Sequence, residues 1–171
     1  MTSKNNIFLI GLMGTGKTTI GRHLARKLHM DFFDSDRVIE ERTGADIPLI
    51  FEKEGEAGFR RREAAVIDEL TAKNNIILAT GGGAILDSEN RKHLISRGTV
   101  FYLRSNLNTL IARTGKDKNR PLLHADEPPK VILKRLLEQR GPLYEETADY
   151  IIDTANNSIH DVIQAIIKFL K

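Results

Sequence analysis

An eight-residue segment near the first residue, GLMGTGKT at positions 11–18, restricts the fold more than any other feature of the sequence. It matches the pattern G-x-x-x-x-G-K-[S/T] of a phosphate-binding loop. An apolar run at residues 7–10 precedes it, and Ile20, Leu24 and Leu28 follow at the spacing of one helix face. A strand, a glycine loop and a helix in this order predict a site where backbone N–H groups and a helix N-terminus hold phosphate.

The loop also supplies side chains that suit a nucleoside triphosphate. Lys17 can reach the β- and γ-phosphates, and the hydroxyl of Thr18 can bind Mg²⁺. An ordinary glycine-rich turn between a strand and a helix is the alternative to this interpretation. We predict nucleotide contacts from six consecutive residues: Gly14, Thr15, Gly16, Lys17, Thr18 and Thr19.

The length and composition indicate one globular domain, which we expect to span residues 1–171. No apolar run is long enough to cross a bilayer, the first residues do not have a signal-peptide pattern, and the lack of cysteine excludes disulfides and thiolate metal sites. A net charge of +3 does not favour nucleic acid. We expect a cytoplasmic monomer with small-molecule partners and no nucleic-acid or membrane partner.

Short apolar runs alternate with helical patterns along the chain. This alternation predicts a three-layer α/β/α fold, in which a parallel sheet has helices on both faces. One helix is predicted over residues 129–140, ending before Gly141 and Pro142, and the last helix begins at Ser158 with Asp161 in its first turn. The five predicted strands are residues 7–10, 30–33, 76–79, 100–103 and 150–152.

Two charged or polar segments do not fit this framework. Residues 34–63 are only partly periodic, and residues 114–128 are too long for an ordinary connection. Ligands of open α/β sheets bind at the carboxyl ends of the strands, and we expect both segments to project there. We predict that the first segment binds the substrate and that the second is a mobile lid.

Two carboxylates, Asp34 and Asp36, follow the second predicted strand. In many P-loop proteins an apolar strand ends in an Asp that helps to hold Mg²⁺. The strand at 76–79 instead runs into Thr80 and glycines, so it supplies no carboxylate. Side chains two residues apart share one face of a strand, so one Asp could face the metal and the attacking hydroxyl while the other binds the acceptor. The alternative is that an Asp here only caps the next helix.

Glycines and arginines are further candidate site residues. The glycines at 81–83 directly follow a buried strand, where a ligand can approach bare N–H groups closely; if the triplet stood alone, a plain tight turn would be an equally good interpretation. The arginines at 60–62 lie on a predicted helix and point in different directions, so at most two can serve a site. Arg120 in the lid and Arg140 at a helix end suit a phosphate or a carboxylate.

In their order and spacing these segments resemble the shikimate kinases, a family of small P-loop proteins similar to nucleoside monophosphate kinases. The resemblance covers nearly the whole chain. It implies transfer of a phosphoryl group from ATP to the 3-hydroxyl of shikimate, in the pathway to chorismate and the aromatic amino acids, with Mg²⁺ as cofactor. The matching segments are GLMGTGKT at 11–18, DSD at 34–36, EGE at 54–56, FRRRE at 59–63, GGG at 81–83, RPLL at 120–123 and RGPLY at 140–144.

The resemblance also implies which residues bind the acceptor. Asp36 would bind a ring hydroxyl of shikimate, and Arg60 and Arg140 would hold its carboxylate. The backbone of three residues would line the same pocket: Gly81, Gly82 and Gly83.

The resemblance implies further roles in catalysis and nucleotide binding. Asp34 would lie near Mg²⁺ and the 3-hydroxyl, either as a proton acceptor or only as an electrostatic partner. Arg120 would fold from the lid onto the transferred phosphoryl group, and Arg113 would stack near adenine. Lys17, Asp34 and Arg120 would then be the catalytic residues, and Thr18 and Asp34 would hold the metal.

Other functions stay open at this point. A related kinase of gluconate or of a nucleoside monophosphate would share the loop, but it would not explain the Asp pair, the glycine triplet and the two arginines together. A nucleotide-gated switch would hydrolyse ATP slowly whatever acceptor is added. Nucleic-acid binding is supported only by the arginines at 60–62 and the mild positive charge.

Overall fold

The computed structural model describes residues 5–114 and 127–171. Within these ranges, five parallel strands form one sheet in the order β2-β3-β1-β4-β5. The strands are β1 (Ile7–Ile10), β2 (Asp31–Asp34), β3 (Ile76–Ala79), β4 (Thr99–Arg104) and β5 (Tyr150–Asp153). The helices are α1 (Lys17–Leu28), α2 (Ser35–Thr43), α3 (Ile47–Thr71), α4 (Ser88–Arg97), α5 (Leu107–Thr114), α6 (Pro129–Thr147) and α7 (Ile159–Leu170).

The central strand β1 shows how the layers form. Its side chains alternate between two apolar clusters, with Phe8 and Ile10 in one and Ile7 and Leu9 in the other. Helices α1 and α7 pack on the Leu9 side, and the core residues of α2 to α6 pack on the Phe8 side. A strand buried on both faces is a continuous apolar run, as the sequence indicated. The predicted three-layer α/β/α fold with a parallel sheet is therefore confirmed.

The phosphate-binding loop connects β1 to α1 through backbone that favours glycine. Gly11, Gly14 and Gly16 have φ angles of 146°, 85° and 91°. A Cβ on Gly11 would also lie 2.5 Å from the carbonyl oxygen of Leu103 in β4. Both conditions exclude larger residues, because left-handed backbone and close approach strain any side chain. The loop therefore brings the N-terminus of α1 to the carboxyl edge of the sheet.

The second strand differs from its prediction by one residue, and this changes the relation between the two aspartates. Strand β2 ends at Asp34, and Asp36 lies in the first turn of α2. The chain turns into a helix immediately because the Asp34 carboxylate accepts hydrogen bonds from the N–H groups of Asp36 and Arg37. The prediction that both carboxylates share one face of a strand is therefore wrong.

Helix α6 extends beyond its predicted end. It runs through Gly141 and Pro142 to Thr147, and Tyr144 in its last turns is buried. Proline removes one hydrogen bond of a helix interior, but packing of the residues that follow stabilises the helix across that position. Local sequence therefore predicted an end that tertiary contacts override.

The structure describes all of the predicted substrate-binding segment but little of the predicted lid. Residues 34–63 form α2 and most of α3, whose backbone leaves helical geometry at Gly55 with a φ of 73°. Most of the predicted lid at 114–128, including Arg120, lies outside the described residues. The predicted last helix is confirmed, and Ser158 and Asp161 cap it reciprocally. No helix in the described part of the chain combines the length and apolarity needed to cross a membrane.

Candidate functional site

A cavity of about 630 Å³ opens at the carboxyl edge of the sheet, beside the phosphate-binding loop. This is where ligands bind in open α/β folds. Five lining residues were not predicted from the sequence: Arg22, Arg37, Glu40, Ile47 and Thr80. The predicted residues that line it are Gly14, Gly16, Lys17, Thr18, Thr19, Asp34, Asp36, Gly81, Gly82 and Arg113.

The N-terminus of α1 forms one wall of this cavity and is suited to an anion. Its N-cap residue, Gly16, has no side chain to satisfy the first N–H groups, and the first turn contains no acidic residue. The Lys17 Nζ donates to the carbonyl oxygens of Gly11 and Leu12 at 2.7 and 2.8 Å, and so lies across its own loop. A helix N-terminus without a side-chain cap, its dipole and a nearby cation together suit a phosphate group.

Asp34 links the start of α1 to the start of α2. Its Oδ2 accepts a hydrogen bond from Thr18 Oγ1 at 2.7 Å, while its Oδ1 accepts from the N–H of Asp36 at 3.0 Å. Asp34 therefore caps α2 and also faces the start of α1, so the capping alternative is correct but incomplete. A hydroxyl and a carboxylate oxygen side by side suit Mg²⁺, which prefers oxygen ligands.

Other protein ligands for a metal are scarce. The described ranges contain no group of three or more His, Cys, Asp or Glu residues that could hold a metal ion. Mg²⁺ is commonly bound by one or two carboxylates, with waters and substrate phosphates completing its shell. The donor set at Thr18 and Asp34 is consistent with that kind of binding.

The glycine triplet forms another wall of the cavity and lies against charged side chains. A Cβ on Gly81 would lie 2.5 Å from Asp36 Oδ1 and 3.0 Å from Glu63 Oε2. A Cβ on Gly83 would lie 2.5 Å from the guanidinium carbon of Arg60. These glycines are therefore required for close approach, because any side chain would displace a charged group.

Arg60 is held by a buried carboxylate. Its Nη1 donates to Glu63 Oε1 at 2.8 Å, and its Nη2 donates to Glu56 Oε1 at 3.3 Å. Burial lowers the pKa of Arg60, but Glu63 and Glu56 outweigh it and raise this pKa overall. Burial raises the pKa of Glu63 to about 7, although Arg60 opposes the shift. Arg60 is thus a fixed cation, while Glu63 titrates near neutral pH.

Arg140 also lies against the triplet and is only 2% exposed. A Cβ on Gly82 would lie 3.5 Å from its Nη1, an ordinary van der Waals distance. Burial lowers the pKa of Arg140, and the nearby Arg60 cation lowers it further. Its Nε has no hydrogen-bond partner among the described residues. A buried guanidinium in this state is stabilised by an anionic ligand.

A second cavity, of about 300 Å³, also borders the phosphate-binding loop and α1. Arg113 lines both cavities, and its Nη1 donates to the carbonyl oxygen of Gly14 at 3.2 Å. The remaining walls combine apolar and polar side chains: Thr15, Thr19, Ile20, Thr154, Asn157, Ile159 and Val162. Thr15 is predicted from the sequence to touch nucleotide, and its buried hydroxyl donates to the Leu12 carbonyl.

The structure separates the predicted arginines. Arg60 and Arg140 lie against the glycine triplet, whereas Arg62 is exposed and paired with Glu54 at 2.9 Å. Sequence reasoning missed Glu63, although it lies one helical turn from Arg60. It also missed Thr154 and Asn157, which follow the carboxyl end of β5 as ligand-binding residues commonly do.

Comparison with known families and sequences gives a consistent result. Residues 13–171 match the family model described as shikimate kinase. The shikimate kinase of Vibrio parahaemolyticus serotype O3:K6 is 55% identical over all 171 residues and 99% of that protein's length. The shikimate kinase of Psychromonas ingrahamii is 55% identical over 170 residues, which are 99% of this chain and of that protein.

Comparison with solved structures agrees. A shikimate kinase from Acinetobacter baumannii, solved in complex with shikimate, has a TM-score of 0.94 and 50% identity. The alignment covers 98% of this chain and 93% of that one. A gluconokinase from Sinorhizobium meliloti has a TM-score of 0.60 but only 15% identity over 99% of this chain and 93% of its own, so it shares the fold alone.

Proposed function

Because the chain belongs to the shikimate kinase family, it is an enzyme that phosphorylates shikimate with ATP, and we propose how its residues carry that reaction. One observation carries the proposal. Arg60 and Arg140 converge on a glycine triplet beside Asp36, at the edge of a cavity that also contains a phosphate-binding helix end.

The acceptor binds at the glycine triplet. The carboxylate of shikimate lies between Arg60 and Arg140, where it neutralises two adjacent cations and satisfies the open Nε of Arg140. Asp36 accepts a hydrogen bond from a ring hydroxyl. The backbone of Gly81, Gly82 and Gly83 lines the pocket without side chains, so the ring can approach closely.

The nucleotide binds across the two cavities. Its phosphates accept hydrogen bonds from the N–H groups of residues 14–19, and Lys17 turns from the loop carbonyls to the β- and γ-phosphates. Adenine enters the second cavity, where Ile20 and Val162 offer apolar contacts and Arg113 offers a stacking surface. The two subsites meet at the loop, which places the γ-phosphate toward shikimate.

Thr18 and Asp34 would hold Mg²⁺, which would neutralise charge on the transferred phosphoryl group. Asp34 also orients the 3-hydroxyl of shikimate toward the γ-phosphate, and it can accept the hydroxyl proton as transfer completes. Phosphoryl transfer depends mainly on positioning and electrostatic stabilisation. Lys17 and Arg120 supply the positive charge. The proposed lid, residues 114–128, excludes water when it closes.

We also propose the domain organisation, the location and the partners of the enzyme. Residues 1–171 form a single kinase domain whose substrate-binding segment is 34–63. The enzyme acts as a cytoplasmic monomer on small molecules and has no nucleic-acid or membrane partner. Acceptor-dependent release of ADP separates this function from a nucleotide switch, because a switch hydrolyses ATP at one slow rate with shikimate, gluconate or AMP.

The residue assignments are tested by Arg60→Ala and Arg140→Met, with Arg62→Ala as the matched control on the same helix as Arg60. Loss of one charge-assisted hydrogen-bonding group should raise the shikimate KM by roughly tenfold to a hundredfold. The ATP KM should change little, because neither arginine lies at the phosphate-binding loop. A shikimate KM that matches the Arg62→Ala control would remove that arginine from the site.

A further inference from the structure

Tyr144 forms a bridge between the glycine triplet and Arg140. It lies in α6, one helical turn after Arg140, and its side chain is 1% exposed. Its hydroxyl donates to the carbonyl oxygen of Gly82 at 2.5 Å. The same hydroxyl lies beside the Arg140 guanidinium and acts to raise its pKa against the effect of burial, and the Tyr144 ring stacks on Tyr102 with centroids 5.0 Å apart. One side chain thus contacts two parts of the acceptor pocket.

The direction of each hydrogen bond follows from the chemistry of the groups. Burial raises the pKa of Tyr144, so its hydroxyl keeps its proton at any physiological pH. A carbonyl oxygen can only accept, so this proton goes to Gly82. A guanidinium can only donate, so toward Arg140 the tyrosine oxygen can act only as an acceptor. The bridge therefore joins Gly82, through a hydrogen bond that Tyr144 donates, to the Arg140 guanidinium beside the same hydroxyl.

We propose that Tyr144 is a positioning residue for shikimate, which holds Arg140 and the glycine triplet at a fixed separation before the substrate arrives. The inference rests on the proposed function, in which Arg140 binds the carboxylate and the triplet lines the pocket. Tyr144 touches neither substrate in this account. It acts through the two groups that do.

The bridge matters because both groups it joins need restraint. Arginine has a long side chain with many rotamers, and an ordered one loses less freedom when it binds an anion. The triplet has no side chains with which to anchor itself, so its position depends on backbone contacts. Ser35 Oγ accepts from the N–H of Gly81 at 3.0 Å, and Tyr144 holds the adjacent carbonyl.

The test is Tyr144→Phe in the full-length enzyme, with Tyr102→Phe as control. Phenylalanine keeps the stacked ring and removes only the bridging hydroxyl. The control removes the hydroxyl of the partner ring, for which the structure shows no role at the pocket. We expect Tyr144→Phe to raise the shikimate KM, and the shikimate Kd measured by calorimetry, about tenfold. The kcat and the ATP KM should stay within about twofold of wild type, a split that a general loss of structure would not produce.

A double-mutant cycle with Arg140→Met identifies the route of the effect. If Tyr144 acts through Arg140, Tyr144→Phe changes the shikimate KM little in the Arg140→Met background. An equal effect in both backgrounds, a shikimate KM like that of Tyr102→Phe, or a matching loss in kcat and ATP KM would each overturn the inference. If Arg140→Met itself leaves the shikimate KM unchanged, the proposed role of Arg140 fails too. If only Tyr144→Phe is silent, the proposed function stands without the bridge.

Discussion

A single methyl group added at Gly83 should weaken shikimate binding and leave the fold intact. The backbone of Gly83 has φ −90° and ψ −1°, which alanine can adopt, so the substitution introduces no backbone strain. The new Cβ would lie 2.5 Å from the Arg60 guanidinium carbon. The guanidinium must retreat by about 1 Å to reach van der Waals contact. That movement displaces the guanidinium from the carboxylate of shikimate.

The expected size of the effect follows from that displacement. Misplacing a substrate-binding group by about 1 Å can reduce activity by a hundredfold, so Gly83→Ala should raise the shikimate KM by roughly tenfold to a hundredfold. Gly82→Ala should have a smaller effect, because its Cβ would approach Arg140 Nη1 only to 3.5 Å. Gly141→Ala is the control for an added methyl group without a clash, since among the described residues its Cβ meets only Leu137, at 4.0 Å.

The assay is initial-rate ADP release with shikimate varied at saturating ATP and Mg²⁺, together with thermal unfolding of each variant. Arg60 can move without disturbing the core, so the Tm of Gly83→Ala should lie close to that of wild type. Equal shikimate KM values for Gly83→Ala and Gly141→Ala would refute the steric reasoning. A large fall in Tm would show that Gly83 serves the fold rather than the pocket.

Two further predictions concern Lys17 and Glu63. Lys17→Met should abolish turnover while the chain stays folded by circular dichroism, and retained activity would contradict the role of the phosphate-binding loop. The pKa of Glu63 is raised from 4.5 to about 7 in the folded state, so folding favours the protonated carboxyl. The stability that this protonated carboxyl contributes is complete below pH 4.5 and is lost as the pH rises through 7. Relative to Glu63→Gln, the wild-type unfolding free energy should therefore fall by up to about 3 kcal/mol over this range. Parallel curves of unfolding free energy against pH would show that Glu63 is not protonated at neutral pH.

The sequence predicted the sheet and the nucleotide end of the site because both depend on local chemistry. The run before Gly11 is apolar at every position, as a strand buried on both faces must be. The loop glycines mark backbone with positive φ, which other residues rarely adopt. Such features are visible within about ten consecutive residues, so no tertiary contact is needed to infer them.

The acceptor end was predicted less completely because long-range contacts decide it. Asp36 was assigned to a strand face, but the capping of α2 by Asp34 moves it into a helix. Glu63 is an ordinary charged residue in the sequence, and only burial beside Arg60 reveals its raised pKa. Tyr144 was missed because Gly141 and Pro142 indicated a helix end, which separated it from Arg140.

The most direct test of the account is a crystal structure of the full chain with shikimate and ADP. The shikimate carboxylate should lie within about 3 Å of both the Arg60 and the Arg140 guanidinium groups. Asp36 should accept a ring hydroxyl, and the 3-hydroxyl should face Asp34 and the phosphate-binding loop. A carboxylate that contacts neither arginine, or a 3-hydroxyl directed away from the loop, would contradict the proposed site.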